Sequence, residues 1–555
     1  MQSSGALDKE IFYGQNSEDI GFPEKIHAPV INKLTGDIGP MKIERTKNAT
    51  RNITFGLLLK LYDVLMPFLM RTAMIYFMGV QYSGLNNLFT SILQVLNLME
   101  LGVGSAMVYS MYKPIAQDDE ASICALMRLY RTYYRVIGLV IAVAGLALTP
   151  FIPKLIKSDL PAGLNIYTLF LLNLSATVLS YWLFAYKNSL LHAHQRTDVV
   201  SKVRLAADTA KYAAQFFTLI FLRNYYAYVI ANLASQALTN VLTAVEATKM
   251  YPRYKPMGKL PRNQVRDINH RVRDLFTSKL GHVIVNSADT IVISAFLGLT
   301  MLAVYQNYYF ILSAIIGFLE IIFSACMAGI GNSIIVETKA KNFGDLKKFS
   351  FLICWIAGFC TVCLLCLFQP FMEIWMGKNL MLDFSVVICL CVYFFIYEIG
   401  RLLNTYKDAA GIWHEDRFRP LVTALSNLAM NLVMVQFWGI YGVILSTVLS
   451  TALIGTPWLL HNLFTVLFDK HDLLPYLKQL LFYAVVTAVG CVATYWLCSL
   501  VPLERWPLLI VRGIICCIVP NLIFFGVYHA LPEYRESLAL VDKMTKGKLR
   551  RRKTP

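Results

Sequence analysis

Four residues in the first long apolar stretch, Lys60, Asp63, Pro67 and Arg71, recur at i, i+3, i+7 and i+11. On a helix, at 100° per residue, they share one face. A charge at the centre of a bilayer costs about 2.5–3.5 kcal/mol on insertion scales, so such residues face a wet cavity or a partner. Lys60 and Asp63 are spaced to pair. Arg71 has no partner in its own helix; the alternative is that Lys60 and Arg71 snorkel to opposite interfaces. The stretch 201–222 repeats the theme with Arg204, Asp208, Lys211 and Gln215 at i, i+4, i+7 and i+11. In 276–298, Lys279, His282, Asn286 and Asp289 also share a face, whereas Asn427 and Asn431 are the polar residues of 420–438. The faces at 60–71 and 204–215 are net cationic, which suits a phosphate or diphosphate.

The acidic residues have two readings. Glu100 and Glu320 occupy equivalent places in two apolar stretches. They could couple transport to a H⁺ or Na⁺ gradient, or be carboxylates satisfied by neighbouring helices. Glu398 and Arg401 are spaced i, i+3 and are expected to pair. His192, His194 and His414 lack a clustered carboxylate for acid–base or metal work. Cys360, Cys363 and Cys366 line one side of a helix and read as packing groups. No catalytic residue, metal site or cofactor is expected. Pro67 should bend its helix, and Pro150 and Pro370 read as helix ends.

The elements that position these residues are membrane helices. The chain has 555 residues, 57% hydrophobic and 15% charged, and a mean hydropathy of +0.53. Soluble domains carry about 25% charged residues, while a span needs about 20 apolar residues. About fourteen spans are expected, near 56–79, 84–110, 132–152, 164–186, 201–222, 225–248, 276–298, 301–330, 349–369, 384–403, 420–438, 440–463, 480–500 and 508–530. The net charge of +17 lies in short loops between the spans, which excludes a nucleic-acid surface. Lysines and arginines crowd alternate loops: Lys187, Arg196 and Lys202, then the stretch 249–275, then Lys339, Lys341, Lys347 and Lys348. By the positive-inside rule, both termini are cytoplasmic, with an even number of spans. Trp375, Trp438, Trp458 and Trp506 fall near span ends as interfacial anchors. The location implied is a cell membrane, multi-pass.

A shift of 220 residues brings specific residues into coincidence. Asn87 meets Asn307, Glu100 meets Glu320, Pro150-Phe151 meets Pro370-Phe371, Tyr186-Lys187 meets Tyr406-Lys407, and His194 meets His414. Six spans per copy is even, so the copies point the same way, as in alternating-access transporters built from parallel repeats. The organisation expected is a partly disordered tail (1–45), a first lobe (46–248), a basic linker (249–275), a second lobe (276–466), a helix pair outside the repeat (467–535) and a basic tail (536–555).

Two stretches carry a family resemblance. One runs from Arg71-Thr72 to Asp118-Asp119 and includes Glu-Leu-Gly-Val-Gly-Ser-Ala at 100–106 and Tyr112-Lys113-Pro114; the other runs from Asp408 to Trp458. They resemble the polysaccharide flippases of the multidrug/oligosaccharidyl-lipid/polysaccharide exporter superfamily, in the Gram-positive capsule and exopolysaccharide branch. The resemblance implies an all-α, V-shaped bundle of two six-helix lobes plus a C-terminal pair. It would act as a monomer, flipping an undecaprenyl-diphosphate-linked oligosaccharide from the cytoplasmic to the outer leaflet among membrane lipids. Polysaccharide polymerase and glycosyltransferases would be its partners. Lys60, Arg71 and Lys211 are placed for the cationic cavity of such flippases; Asp63, Asp208, His282 and Asp289 complete the candidate substrate site. Two other readings compete. A drug or cation antiporter of the same superfamily would need an acidic, aromatic lumen. A membrane-embedded polysaccharide enzyme would need a large outer loop, and every outer loop here is short.

Overall fold

The computed structural model describes residues 45–100, 102–157, 160–161 and 163–544, apart from some side chains within the helices. Of the tail expected at 1–45, residues 1–44 lie outside the described residues, as do residues 545–555 of the basic tail expected at 536–555. The rest is helical. The first half comprises α1 (Arg45–Phe77), α2 (Val80–Leu96), α3 (Val103–Ala116), α4 (Glu120–Leu148), α5 (Ile166–Trp182), α6 (Tyr186–Ala193), α7 (Thr197–Phe217) and α8 (Tyr225–Met250). The second comprises α9 (Arg262–Leu297), α10 (Leu299–Val336), α11 (Lys339–Met376), α12 (Phe384–Ala409), α13 (Arg419–Ser450), α14 (Thr456–Val466), α15 (Leu473–Ser499), α16 (Arg505–Tyr528) and α17 (Pro532–Met544).

Eight helices among the described residues are long and apolar enough to cross a membrane, or nine if the bent pair α5–α6 is one span. Fourteen is therefore not reached on that criterion. The expected spans that fall short are α1, α7 and α9, where polar residues interrupt the apolar run, and the α2–α3 region, where a break leaves two helices of 17 and 14 residues. The stretch Arg419–Val466 counts once, yet Gly439 breaks α13 into two helices at φ 54°, a backbone state that suits glycine.

Several boundaries differ from expectation. The span expected at 84–110 is broken: a tight turn at Asn97–Glu100 and a left-handed Gly102 separate α2 from α3, so Glu100 sits at a break. The second half of the expected linker is helical, because α9 starts at Arg262. Part of the expected basic tail forms α17, where Glu536 pairs with Lys348 of α11 at 3.1 Å. Two buried aspartates pin turns at the end of the bundle that carries the basic loops, here the basic end. Asp198 pairs with Arg196 at 2.9 Å, and Asp416 takes Arg419 through both oxygens at 2.6 and 2.7 Å.

The halves meet where α2 packs against α9 and α10. Gly84 makes that approach possible: a Cβ there would lie 2.1 Å from the carbonyl oxygen of Leu299. At the far end, Phe68 of α1 stacks on Trp375 of α11 at 4.5 Å, and the Trp375 indole donates to Thr72 Oγ1 at 2.8 Å. Ser294 donates to the carbonyl of Leu155 at 2.7 Å. Trp375, expected as an interfacial anchor, thus joins the two halves. The thiols of Cys366, Cys498 and Cys516, all buried and within 4.8 Å of one another, join α11 to α15 and α16.

Candidate functional site

The charged faces of α1 and α7 meet in the first half. Asp63 accepts from Arg204 at 3.2 Å. Arg204 also reaches Asp208 at 3.4 Å, and Asp208 takes Lys211 at 2.6 Å. The result is a ladder of alternating sign, Asp63–Arg204–Asp208–Lys211, whose charges compensate. This corrects one expectation. Asp63 pairs across to α7 rather than along α1 with Lys60, because a facing helix brings Arg204 within reach. The positive excess of these faces therefore rests on Lys60 and Arg71. Lys60 Nζ lies 2.8 Å from where a Cβ on Gly317 of α10 would stand.

Arg71 is placed differently. Its guanidinium donates to Asn307 Oδ1 of α10 at 3.1 Å and to Asn87 Oδ1 of α2 at 3.4 Å, with the Phe310 ring centroid 5.3 Å away. No carboxylate forms an ion pair with it among the described residues. The cation is held by neutral amides from both halves, and the two amides are the pair that coincide at a shift of 220 residues.

Three cavities run in series along the first half, the first of mixed lining and the other two mainly polar. One of roughly 360 Å³ near the basic end is lined by Asn188, His192, Thr197 and Arg204. It shares Arg204, Thr239 and Asn240 with a second, of roughly 550 Å³, which also holds Asp63, Asp208 and Lys211. The second shares Pro67, Lys211, Tyr212, Asn232 and Gln236 with an end chamber of roughly 680 Å³ that contains Arg71. Ligand pockets typically span about 300–1,000 Å³. The path thus runs from the basic loops toward the far end, where Phe68, Thr72 and Trp375 close the halves together.

The other candidates separate from this path. Glu100 accepts from Tyr134 at 2.8 Å and Tyr181 at 3.3 Å. Glu320 forms a two-pronged ion pair with Arg401, one arm at 2.6 Å. The pairing expected between Glu398 and Arg401 is overturned: Arg401 is drawn to Glu320 on the neighbouring α10. Glu398 is fully buried, and neither carboxyl oxygen has a hydrogen-bond partner among the described residues. Asp289 is buried in the second half, away from the cationic path. It accepts from Asn431 at 2.6 Å and Thr447 at 3.1 Å, with Asn427 beside them, donating to Thr447 at 3.0 Å. A carboxylate, amides and hydroxyls are the hard oxygen donors that a small cation prefers. The side chains of Lys279, His282 and Asn286 lie outside the described residues.

Charge reasoning missed the amides. Asn86, Asn87, Gln94, Asn97, Asn173, Asn232 and Gln236 line the end chamber. A signal was present in the sequence: Asn86, Thr90, Gln94 and Asn97 fall at i, i+4, i+8 and i+11, and Asn232, Gln236 and Asn240 at i, i+4 and i+8. An amide carries no charge to flag a binding face, so the ionisable residues alone do not point to them.

Residues 82–327 match the family described as polysaccharide biosynthesis protein. No curated protein matches the chain in sequence. Among solved structures, the lipid II flippase MurJ in an inward closed conformation is similar in fold, with a TM-score of 0.64 at 14% identity, covering 86% of this chain and 99% of that one. An inward-facing multidrug resistance MATE family transporter of the MOP superfamily has a TM-score of 0.57 at 14% identity, covering 73% and 97%. The chain is a multi-pass membrane protein, and the resemblance read from its sequence is borne out: residues 82–327 are similar to polysaccharide biosynthesis proteins, and the chain has the fold shared by MurJ and the MATE transporters.

Proposed function

We propose that this protein flips an undecaprenyl-diphosphate-linked oligosaccharide repeat unit from the cytoplasmic to the outer leaflet by alternating access, for capsule or exopolysaccharide synthesis. The observation that carries this reading is Arg71, a guanidinium without a carboxylate partner among the described residues, at the closed end of a polar path that starts among basic loops. An anionic headgroup supplies the missing counter-charge. The polysaccharide biosynthesis family match supports a glycan-bearing substrate, and MurJ, a lipid II flippase, offers a precedent for the fold. In this reading the basic end is cytoplasmic and the protein works as a monomer in the cell membrane. Glycosyltransferases supply its substrate and a polymerase consumes its product.

Coupling to a H⁺ or Na⁺ gradient belongs to the same proposal. Glu100 and Glu320 are already held by tyrosines and by Arg401. Asp289 and Glu398 are buried carboxyls without an ion-pair partner among the described residues, and they are the groups to test. A drug or cation antiporter would require carboxylates in the substrate chamber, and none lines the chamber around Arg71. The test is reconstitution. A labelled diphospholipid sugar should change leaflets in proteoliposomes faster than in empty liposomes. Equal rates would sink the reading.

A further inference from the structure

The end chamber holds more amide than a phosphate needs. Asn86, Asn87 and Gln94 reach it from α2, Asn97 from the turn that follows, and Asn232 and Gln236 from α8. Two of these groups are incomplete among the described residues: Asn87 Nδ2, a donor, and Asn97 Oδ1, an acceptor, are buried without a hydrogen-bond partner there. A diphosphate can accept from Asn87, but when fully ionised it has nothing to donate to Asn97. A sugar hydroxyl both donates and accepts, as a carboxamide does, so the two match edge to edge. Tyr212 and Tyr228 line the same chamber and offer aromatic surface to the C–H faces of a pyranose ring.

We infer that the end chamber is a glycan subsite. It takes the hydroxyl-rich sugar attached to the diphosphate, with Asn87, Asn97, Asn232 and Gln236 as hydrogen-bonding partners. The inference rests on the flippase reading and adds a division of labour: Arg71 answers the anion, and the amides answer the sugar. A site built to hydrogen-bond hydroxyls discriminates strongly against a ligand that lacks them, because its own polar groups are then left unpaired. The sugar should therefore contribute its own increment of affinity.

The test uses the full chain in nanodiscs with two kinds of probe. One is a short-chain polyprenyl diphosphate; the other is the same lipid bearing glucose, galactose or N-acetylglucosamine. For the unaltered protein, at least one sugar-bearing lipid should bind roughly tenfold tighter than the bare lipid. Asn97→Leu and Asn232→Leu should erase that increment and leave binding of the bare lipid within about twofold, which also reports that the variants are folded. The inference is overturned if no sugar improves binding, or if the variants weaken both probes equally. Failure of the unaltered protein to bind either probe would sink the flippase reading along with it; an unaltered protein that binds the bare lipid but gains nothing from any sugar sinks only the subsite.

Discussion

Arg71 of α1 donates to Asn307 of α10 at 3.1 Å, so one side chain of the first half is held by the second. Its other arm reaches Asn87. The contact joins the halves at the closed end of the polar path, where any outward opening must break it. Arg71→Ala removes the cation proposed to answer the diphosphate and should lower the translocation rate in proteoliposomes by roughly 10–100-fold, since a hydrogen bond to a charged group contributes about 1.5–3 kcal/mol. Arg71→Lys should fall between, because an ammonium is a point charge and cannot span both amides as a guanidinium does. An undiminished rate in Arg71→Ala would remove this residue from the mechanism.

Trp375 closes the same end by stacking on Phe68 and donating to Thr72. Trp375→Ala should speed amide hydrogen exchange in the Phe68–Phe77 part of α1, with little change in α15 and α16. Uniform acceleration across the chain would mean global destabilisation and count against a local seal.

Asp208 serves two cations, Arg204 and Lys211, while Asp63 serves Arg204 alone. Asp208→Asn should therefore destabilise the protein more than Asp63→Asn in thermal melts. The Asp63–Arg204 pair is partly exposed, and a double-mutant cycle should return only about 0.2–1 kcal/mol of coupling. A larger coupling for Asp63 than for Asp208 would contradict the ladder.

Glu320 and Glu398 should respond oppositely to neutralisation. Glu320→Gln strips Arg401 of its carboxylate and should lower the melting temperature. Glu398→Gln replaces a buried carboxyl with no hydrogen-bond partner among the described residues and should leave the melting temperature unchanged or raised, because no contact is lost and an ionised carboxyl at that place is costly. A large loss of stability in Glu398→Gln would show that a partner had been missed.

Gly84→Ala tests the crossing of α2 over the second half. The added methyl would meet the Leu299 carbonyl at 2.1 Å, inside any van der Waals contact, and the obstacle is backbone. Overpacking of this kind costs about 1–3 kcal/mol, visible as a lower melting temperature. Gly56→Ala, where nothing lies within 4 Å, is the control.

Composition and period settled the class of protein and the places of most of its helices. Low charge with long apolar runs leaves few alternatives to a helical membrane protein, because backbone groups in lipid must be satisfied internally. The same rules put Lys60, Asp63 and Arg71 on one face, since helical phase is a local property. What those residues meet is not local. Asp63 could be read as a partner of Lys60 and Glu398 as a partner of Arg401, but both were overruled by Arg204 and Glu320 from other helices. Spacing along one helix offers a contact, and packing decides whether a better one is nearer. Glu100 shows the limit at an element's end: the apolar run continues through it, yet the left-handed Gly102 breaks the helix there. The amides of the end chamber stand at regular helical spacing in the sequence, but only the meeting of α1, α2, α5, α7 and α8 turns separate polar stripes into one cavity around a guanidinium.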